Sequence, residues 1–222
     1  LLSRMTIEEK IGQLNQYFSL RNFAPEIIRK RNAGSVINAA GALTGTGESK
    51  STEAQVCNDI QKLALNTPHG IPQIFGRDVI HGYRTVFPIP LAQAASFNPE
   101  LAEQAASVAA LEATATGIKW TFAPMLDIAR DARWGRIAEG NGEDPFLGTQ
   151  MAKAVVKGFQ GNDYSKPDKL VACAKHYVGY GSAEGGRDYD AGEIAEPTLR
   201  DIYLPPFESA IKSGVGTVMS AF

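Results

Sequence analysis

Five short apolar runs, each leading into a polar, glycine-rich stretch and then into helical spacing, constrain this chain more than any other feature of its sequence. They are Ala33-Gly34-Ser35-Val36-Ile37-Asn38, Pro72-Gln73-Ile74-Phe75-Gly76, Lys119-Trp120-Thr121-Phe122-Ala123-Pro124-Met125, Leu170-Val171-Ala172-Cys173-Ala174 and Val215-Gly216-Thr217-Val218-Met219. Between them, apolar positions recur at helical spacing from Thr52 to Leu65, from Pro99 to about Gly117, from about Phe146 to Gly161 and from about Glu196 to Lys212. The stretch from Gly41 to Ser51 reads as a loop. A further helix start falls at Thr6, where a threonine N-cap and Glu9 make a capping-box pattern and Ile7, Ile11 and Leu14 share one face. Strands and helices in alternation indicate a parallel sheet covered by helices.

Two architectures satisfy that alternation. A doubly wound sheet concentrates its site at one switch point and usually carries a glycine-rich phosphate loop after an early strand, and no GxGxxG or GxxxxGK[ST] string follows any strand here. A (β/α)8 barrel instead draws chemistry from the end of every strand. That is the pattern seen: Asp78 and His81 follow the second strand, Asp127 and Arg130 to Arg136 the third, and Lys175 and His176 the fourth. The reading is therefore an α/β fold of (β/α)8 TIM type, incomplete at about five to six βα units, because such a barrel usually needs roughly 250 residues. An incomplete barrel would expose a sheet edge and apolar helix faces, so the fragment by itself is expected to be poorly soluble or to associate.

Charge narrows the ligand. The 24 acidic and 22 basic side chains give a net charge of -2 with no basic block, so nucleic acid and anionic membrane surfaces are not expected partners. No apolar run approaches the roughly 20 residues of a membrane span, and the first residues lack the apolar core of a signal peptide. Cys57 and Cys173 have neither CxxC nor Cys/His spacing and read as small buried hydrophobes, so no metal and no cofactor is expected.

The polar strand ends carry the candidate chemistry. Sugar hydroxyls are held by carboxylates, guanidinium forks, lysine and histidine converging on one pocket. Asp78 in Gly76-Arg77-Asp78-Val79-Ile80-His81-Gly82 stands just past a strand, with turn capping and pairing to Arg77 as the alternative. The segment from Asp127 to Pro145 is longer than a connector requires, which suggests function. Within it Arg130, Arg133, Asp131, Glu143 and Asp144 read mainly as scaffolding pairs with one arginine freed, and Trp134 either stacks on a sugar or anchors the loop. Lys175 and His176 follow a buried run, so at least one must reach the interior. The alternatives there are a satisfied core histidine and a Schiff-base lysine of the aldolase kind. Gly179 to Asp188 reads as a flexible lid or rim.

Taken together, the strings LSRMTIEEKIGQL, GRDVIHG, APMLDIARDARWGRIAEGNGEDP, AKHYVGYG and GGRDY, in that order, resemble the N-terminal domain of glycoside hydrolase family 3 over essentially the whole chain, and most resemble its bacterial periplasmic β-glucosidase branch. The resemblance implies an exo-acting, retaining enzyme that removes terminal β-D-glucosyl residues, and a periplasmic or secreted location. It implies that residues 1–222 are the N-terminal part of the barrel domain, the remaining strands and a second α/β domain lying outside the chain. Asp78 would then hold outer glycone hydroxyls and Arg136 would be the arginine of the WGR motif. Lys175 and His176 would clamp the hydroxyls beside the reacting carbon, and Met219 would form part of the pocket wall. The same resemblance disfavours the aldolase reading.

Two departures accompany it. Phe222 stands where many members have tyrosine, and the nucleophile Asp and acid/base Glu are expected beyond residue 222, which leaves no catalytic residue within the chain and makes it inactive alone. The chain's histidines are His69, His81 and His176, and none takes the place of the histidine that β-N-acetylglucosaminidases of the family use after Lys-His. The expected partners are a β-linked oligosaccharide or aryl glucoside and the rest of the barrel and second domain. A β-xylosidase of the same family and a non-catalytic carbohydrate-binding fragment are the alternatives.

Overall fold

A computed structural model describes residues 1–18, 24–39 and 52–222. The expected loop from Gly41 to Ser51 lies outside them. The chain divides into two units, Leu1–Arg77 with Ala115–Trp120 and Asp78–Thr114 with Thr121–Phe222. The fold class is α/β, with strands 16–18 and 35–37, 35–37 and 74–77, and 173–177 and 217–220 paired in parallel, as in an incomplete (β/α)8 barrel. None of the described helices is long and apolar enough to cross a membrane.

In the first unit, the sequence builds α1 (Ile7–Gly12), β1 (Gln16–Phe18), α2 (Ala24–Arg29), β2 (Ser35–Ile37), α3 (Glu53–Leu65) and β3 (Ile74–Arg77). Thr6 caps α1 through the expected box, its side chain accepting from the Glu9 amide while Glu9 accepts from the Thr6 amide. Thr52 and Gln55 repeat the device at α3. The register pairs the half-buried Tyr17 with Val36, and Val36 with Phe75, the last two buried side by side in the sheet. The expected apolar face of α1 is reversed: Ile7, Ile11 and Leu14 are exposed, whereas Glu9 and Gly12 are buried. The helix approaches the Arg31 backbone so closely that a Cβ on Gly12 would lie 2.3 Å from the Arg31 carbonyl oxygen, which leaves the inner side no room for an apolar side chain.

The second unit holds α4 (Pro90–Ala94), α5 (Pro99–Thr114), α6 (Pro145–Gln160), β5 (Cys173–Tyr177), α7 (Glu196–Thr198), α8 (Leu204–Lys212) and β6 (Thr217–Ser220). The strand β4 (Trp120–Thr121) is short, but the chain beyond it keeps company with β5. The Cys173 amide donates to the Ala123 carbonyl, the Lys175 amide to Pro124 and the Leu126 amide to Lys175. Helices α5 and α6 pack closely because Ala106 and Gly158 are small, and a Cβ on Gly158 would stand 2.3 Å from the Glu103 carbonyl oxygen. The helix expected from Glu196 to Lys212 is interrupted by a π-helical turn at Leu199–Tyr203. Pro205 and Pro206 donate no amide hydrogen, so the regular ladder cannot pass through them. Cys57 in α3 and Cys173 in β5 are free and buried, as expected of small hydrophobes.

Candidate functional site

The strand β5 begins three residues later than its apolar run suggested, so Lys175 and His176 lie inside it rather than after it. Both are buried, although side chains alternate along a regular strand, and the peptide bond between them is cis. Their burial is chemically answered. One carboxylate oxygen of Asp127, Oδ2, accepts from the His176 amide at 3.0 Å and lies 2.8 Å from His176 Nδ1. The other oxygen, Oδ1, is buried with no hydrogen-bond partner among the described residues.

Lys175 Nζ stands 3.4 Å from Asp78 Oδ1 and 3.7 Å from Glu139 Oε2. Glu139 in turn accepts two hydrogen bonds from Arg136, at 2.7 and 2.9 Å, in a bidentate fork. Arg136, Glu139, Lys175 and Asp78 thus form a row of alternating sign that sums to zero, suited to a neutral polyhydroxylated ligand. Burial alone would raise the Glu139 carboxyl, but the Arg136 hydrogen bond and the charge of Lys175 outweigh it and hold it below its ordinary value. The same fork raises the pKa of Arg136, whose guanidinium carbon also lies 5.5 Å over the Tyr180 ring. The row opens at Asp78, whose side chain is 52% exposed. Arg77 pairs with Glu53 at 2.9 Å.

Of the long loop's five expected scaffolding charges, Arg133 and Asp131 do pair, and Arg133 holds the Asp131 carboxyl down at about 2. Asp144 caps α6 through the Leu147 amide. Arg130 and Glu143 are exposed and make no ion pair among the described residues. Trp134 is an anchor for the loop: it is 1% exposed, packs edge-on to Tyr180 and donates Nε1–H to Asp188. Asp188 also accepts from the Tyr180 hydroxyl at 2.5 Å, and burial pushes that phenol up to about 12. The stretch from Gly179 to Asp188 contains two 3-10 turns, with Tyr180, Gly181 and Gly186 buried and Glu184, Gly185, Arg187 and Asp188 exposed. Gly186, at φ 69°, sits where a Cβ would meet the Trp134 amide nitrogen at 2.7 Å.

Asp78, Arg136, Lys175 and His176 are therefore brought into one neighbourhood. Met219 lies half-buried on β6, which pairs with β5. Phe222 packs its ring 5.0 Å from His176 and 5.1 Å from Tyr180. Residue-type reasoning missed Glu139 and the role of Asp127. Spacing could have exposed Glu139, since Arg136 and Glu139 stand three apart in a 3-10 turn. Nothing local marks Asp127 as the partner of a histidine 49 residues away.

Residues 6–222 match the sequence model of the Glycosyl hydrolase family 3 N terminal domain. A periplasmic β-glucosidase of Salmonella typhimurium is 36% identical over 221 residues, covering 100% of this chain and 28% of its own length. A β-xylosidase of Formosa agariphila is 37% identical over 180 residues, 75% of this chain and 25% of its own. The crystal structure of a β-glucosidase from Listeria innocua in complex with gluconolactone superposes with a TM-score of 0.87 at 40% identity, covering 99% of this chain and 32% of that one. The chain thus spans about a third or less of the length of these relatives.

Proposed function

This chain belongs to glycosyl hydrolase family 3, and on that premise we propose that it supplies the glycone-binding part of an exo-acting, retaining β-glucosidase. The observation that carries the proposal is the row Arg136–Glu139–Lys175–Asp78 with His176 beside it. In this reading the Asp78 carboxylate accepts hydrogen bonds from outer hydroxyls, while Lys175, Arg136 and His176 address hydroxyls nearer the reacting carbon, and Met219 forms part of the wall. Each charged group keeps a counter-charge in the protein, so an arriving neutral sugar exchanges hydrogen bonds without stranding a buried ion. Lys175 is buried but sits between two carboxylates, whereas a Schiff-base lysine is activated by burial without such counter-charges.

Retaining hydrolysis needs two carboxyl groups roughly 5 to 5.5 Å apart across the scissile bond. Asp78, Asp127 and Glu139 are each engaged with a cation or imidazole, and we assign none of them to that pair. The nucleophile Asp and the acid/base Glu belong to a continuation of the fold, comprising the remaining strands and a second α/β domain. A location in the periplasm or outside the cell is in keeping with the Salmonella relative's name.

The test is hydrolysis of an aryl β-glucoside by the 222-residue chain and by the chain joined to that continuation. Turnover by the joined protein alone is the expected result, and turnover by the isolated chain would overturn the assignment. The Formosa relative supports β-xylosidase as a second reading. An aryl β-xyloside cleaved with the higher kcat/KM would replace the first reading by the second.

A further inference from the structure

We propose that Asp127 is a positioning residue that fixes the tautomer and orientation of His176, so that Nε2 is the ring atom presented to the sugar. The inference rests on the reading of His176 as a glycone contact. An ionised carboxylate can only accept hydrogen bonds. Oδ2 of Asp127 already accepts from the His176 amide at 3.0 Å, and His176 Nδ1 lies 2.8 Å from the same oxygen. Nδ1 therefore carries a hydrogen, and Nε2 is left to meet a hydroxyl. One oxygen gripping both the amide and the ring of one residue sets the ring plane as well as the tautomer.

The packing leaves the histidine little else to do. His176 and Asp127 are 1% and 2% exposed, and the ring is flanked by Tyr180 and Phe222 at 5.0 Å each. A Cβ on Gly181 would stand 2.3 Å from the Ile128 carbonyl oxygen and 3.4 Å from Asp127 Cβ, so the loop after β5 packs directly against the Asp127–Ile128 backbone. Asp127 Oδ1 is buried and takes part in no hydrogen bond among the described residues. A carboxylate placed for packing alone would have both oxygens satisfied or be replaced by an apolar group at lower cost.

Two variants separate positioning from mere support. Asp127→Asn keeps an acceptor oxygen for both bonds, and Asp127→Ala removes it. In solid-state nitrogen-15 NMR of the histidine-labelled chain, which has only three histidines, His176 Nδ1 is expected to be protonated in the wild type and in Asp127→Asn. In Asp127→Ala that protonated signal is lost or divided between the two ring nitrogens. In the joined protein, Asp127→Ala lowers kcat/KM for an aryl β-glucoside by roughly ten-fold, the worth of about one hydrogen bond, and Asp127→Asn recovers most of it. An unprotonated His176 Nδ1 in the wild type, or a tautomer indifferent to Asp127→Ala, overturns the proposal. The NMR result needs no turnover, so it stands or falls separately from the glucosidase reading. An Asp127→Ala protein with the altered tautomer and undiminished kcat/KM would instead remove His176 from the glycone contacts.

Discussion

Glu9 and Asp127 are both buried carboxylates and both hold a histidine, His69 at 3.0 Å and His176 at 2.8 Å, yet the two clusters end differently. Around Glu9 the connections close on themselves. The same side chain takes the Thr6 amide in a capping box, pairs with Arg31 and meets His69, and the crevice beside it is about 10 Å³, room for no more than about one water molecule. Around Asp127 the connections lead outward. The residue before His176 is Lys175, which reaches Glu139 and the half-exposed Asp78. Buried charge by itself therefore does not mark a site. A site is marked by a charged row that begins in the core and finishes where a ligand can reach it.

The sharpest way to break this contrast is to remove Glu9. Glu9→Ala strands His69 and part of Arg31 and removes the Glu9 half of the α1 capping box, so chemical denaturation is expected to register a loss of about 3 kcal/mol. Glucose affinity of the folded protein should be unchanged, and a large loss of affinity would show that the first cluster also serves the ligand. Lys175→Met makes the converse test. It removes the central cation of the row, and glucose affinity is expected to fall at least roughly ten-fold, about 1.4 kcal/mol, with a smaller change in stability.

A subtler effect concerns acid. The Glu139 carboxyl titrates below its ordinary 4.5 in the folded protein, because Arg136 and Lys175 outweigh the effect of burial. A depressed folded value means that its contribution to stability is whole above pH 4.5 and is lost as pH falls further toward the folded value. Denaturation midpoints measured against pH should therefore fall less steeply below 4.5 in Glu139→Gln than in the wild type, and identical slopes would detach Glu139 from the row. The smallest effect belongs to the exposed pair of Asp131 and Arg133, whose arginine is 74% exposed. Arg133→Ala should leave the denaturation midpoint almost unchanged, and salt should erase whatever difference remains.

Much of this architecture was legible in the sequence, and the failures have physical reasons. The Thr6 capping box, α3, α5, α6 and the parallel class follow from spacing and caps that act within a few residues. The strand β1 is not legible, because its three residues, Gln16 to Phe18, carry too little pattern. The strand β5 was placed early because its apolar run stops at Lys175, a charge that looks like a strand's end until its partners, 97 and 49 residues away in sequence for Lys175 and His176, are brought up to it. Asp78, Lys175 and His176 could be read individually from their place after apolar runs, and Arg136 and Met219 through the family resemblance. The carboxylates between them could not, because Glu139 and Asp127 act only through contacts that folding creates.

The most direct measurement is a calorimetric titration of glucose into the joined protein and its Lys175→Met and Glu9→Gln variants at one temperature where all three remain folded. The account requires equal binding in the wild type and in Glu9→Gln, and binding weaker by at least roughly ten-fold in Lys175→Met. Equal affinity in Lys175→Met and the wild type would contradict it.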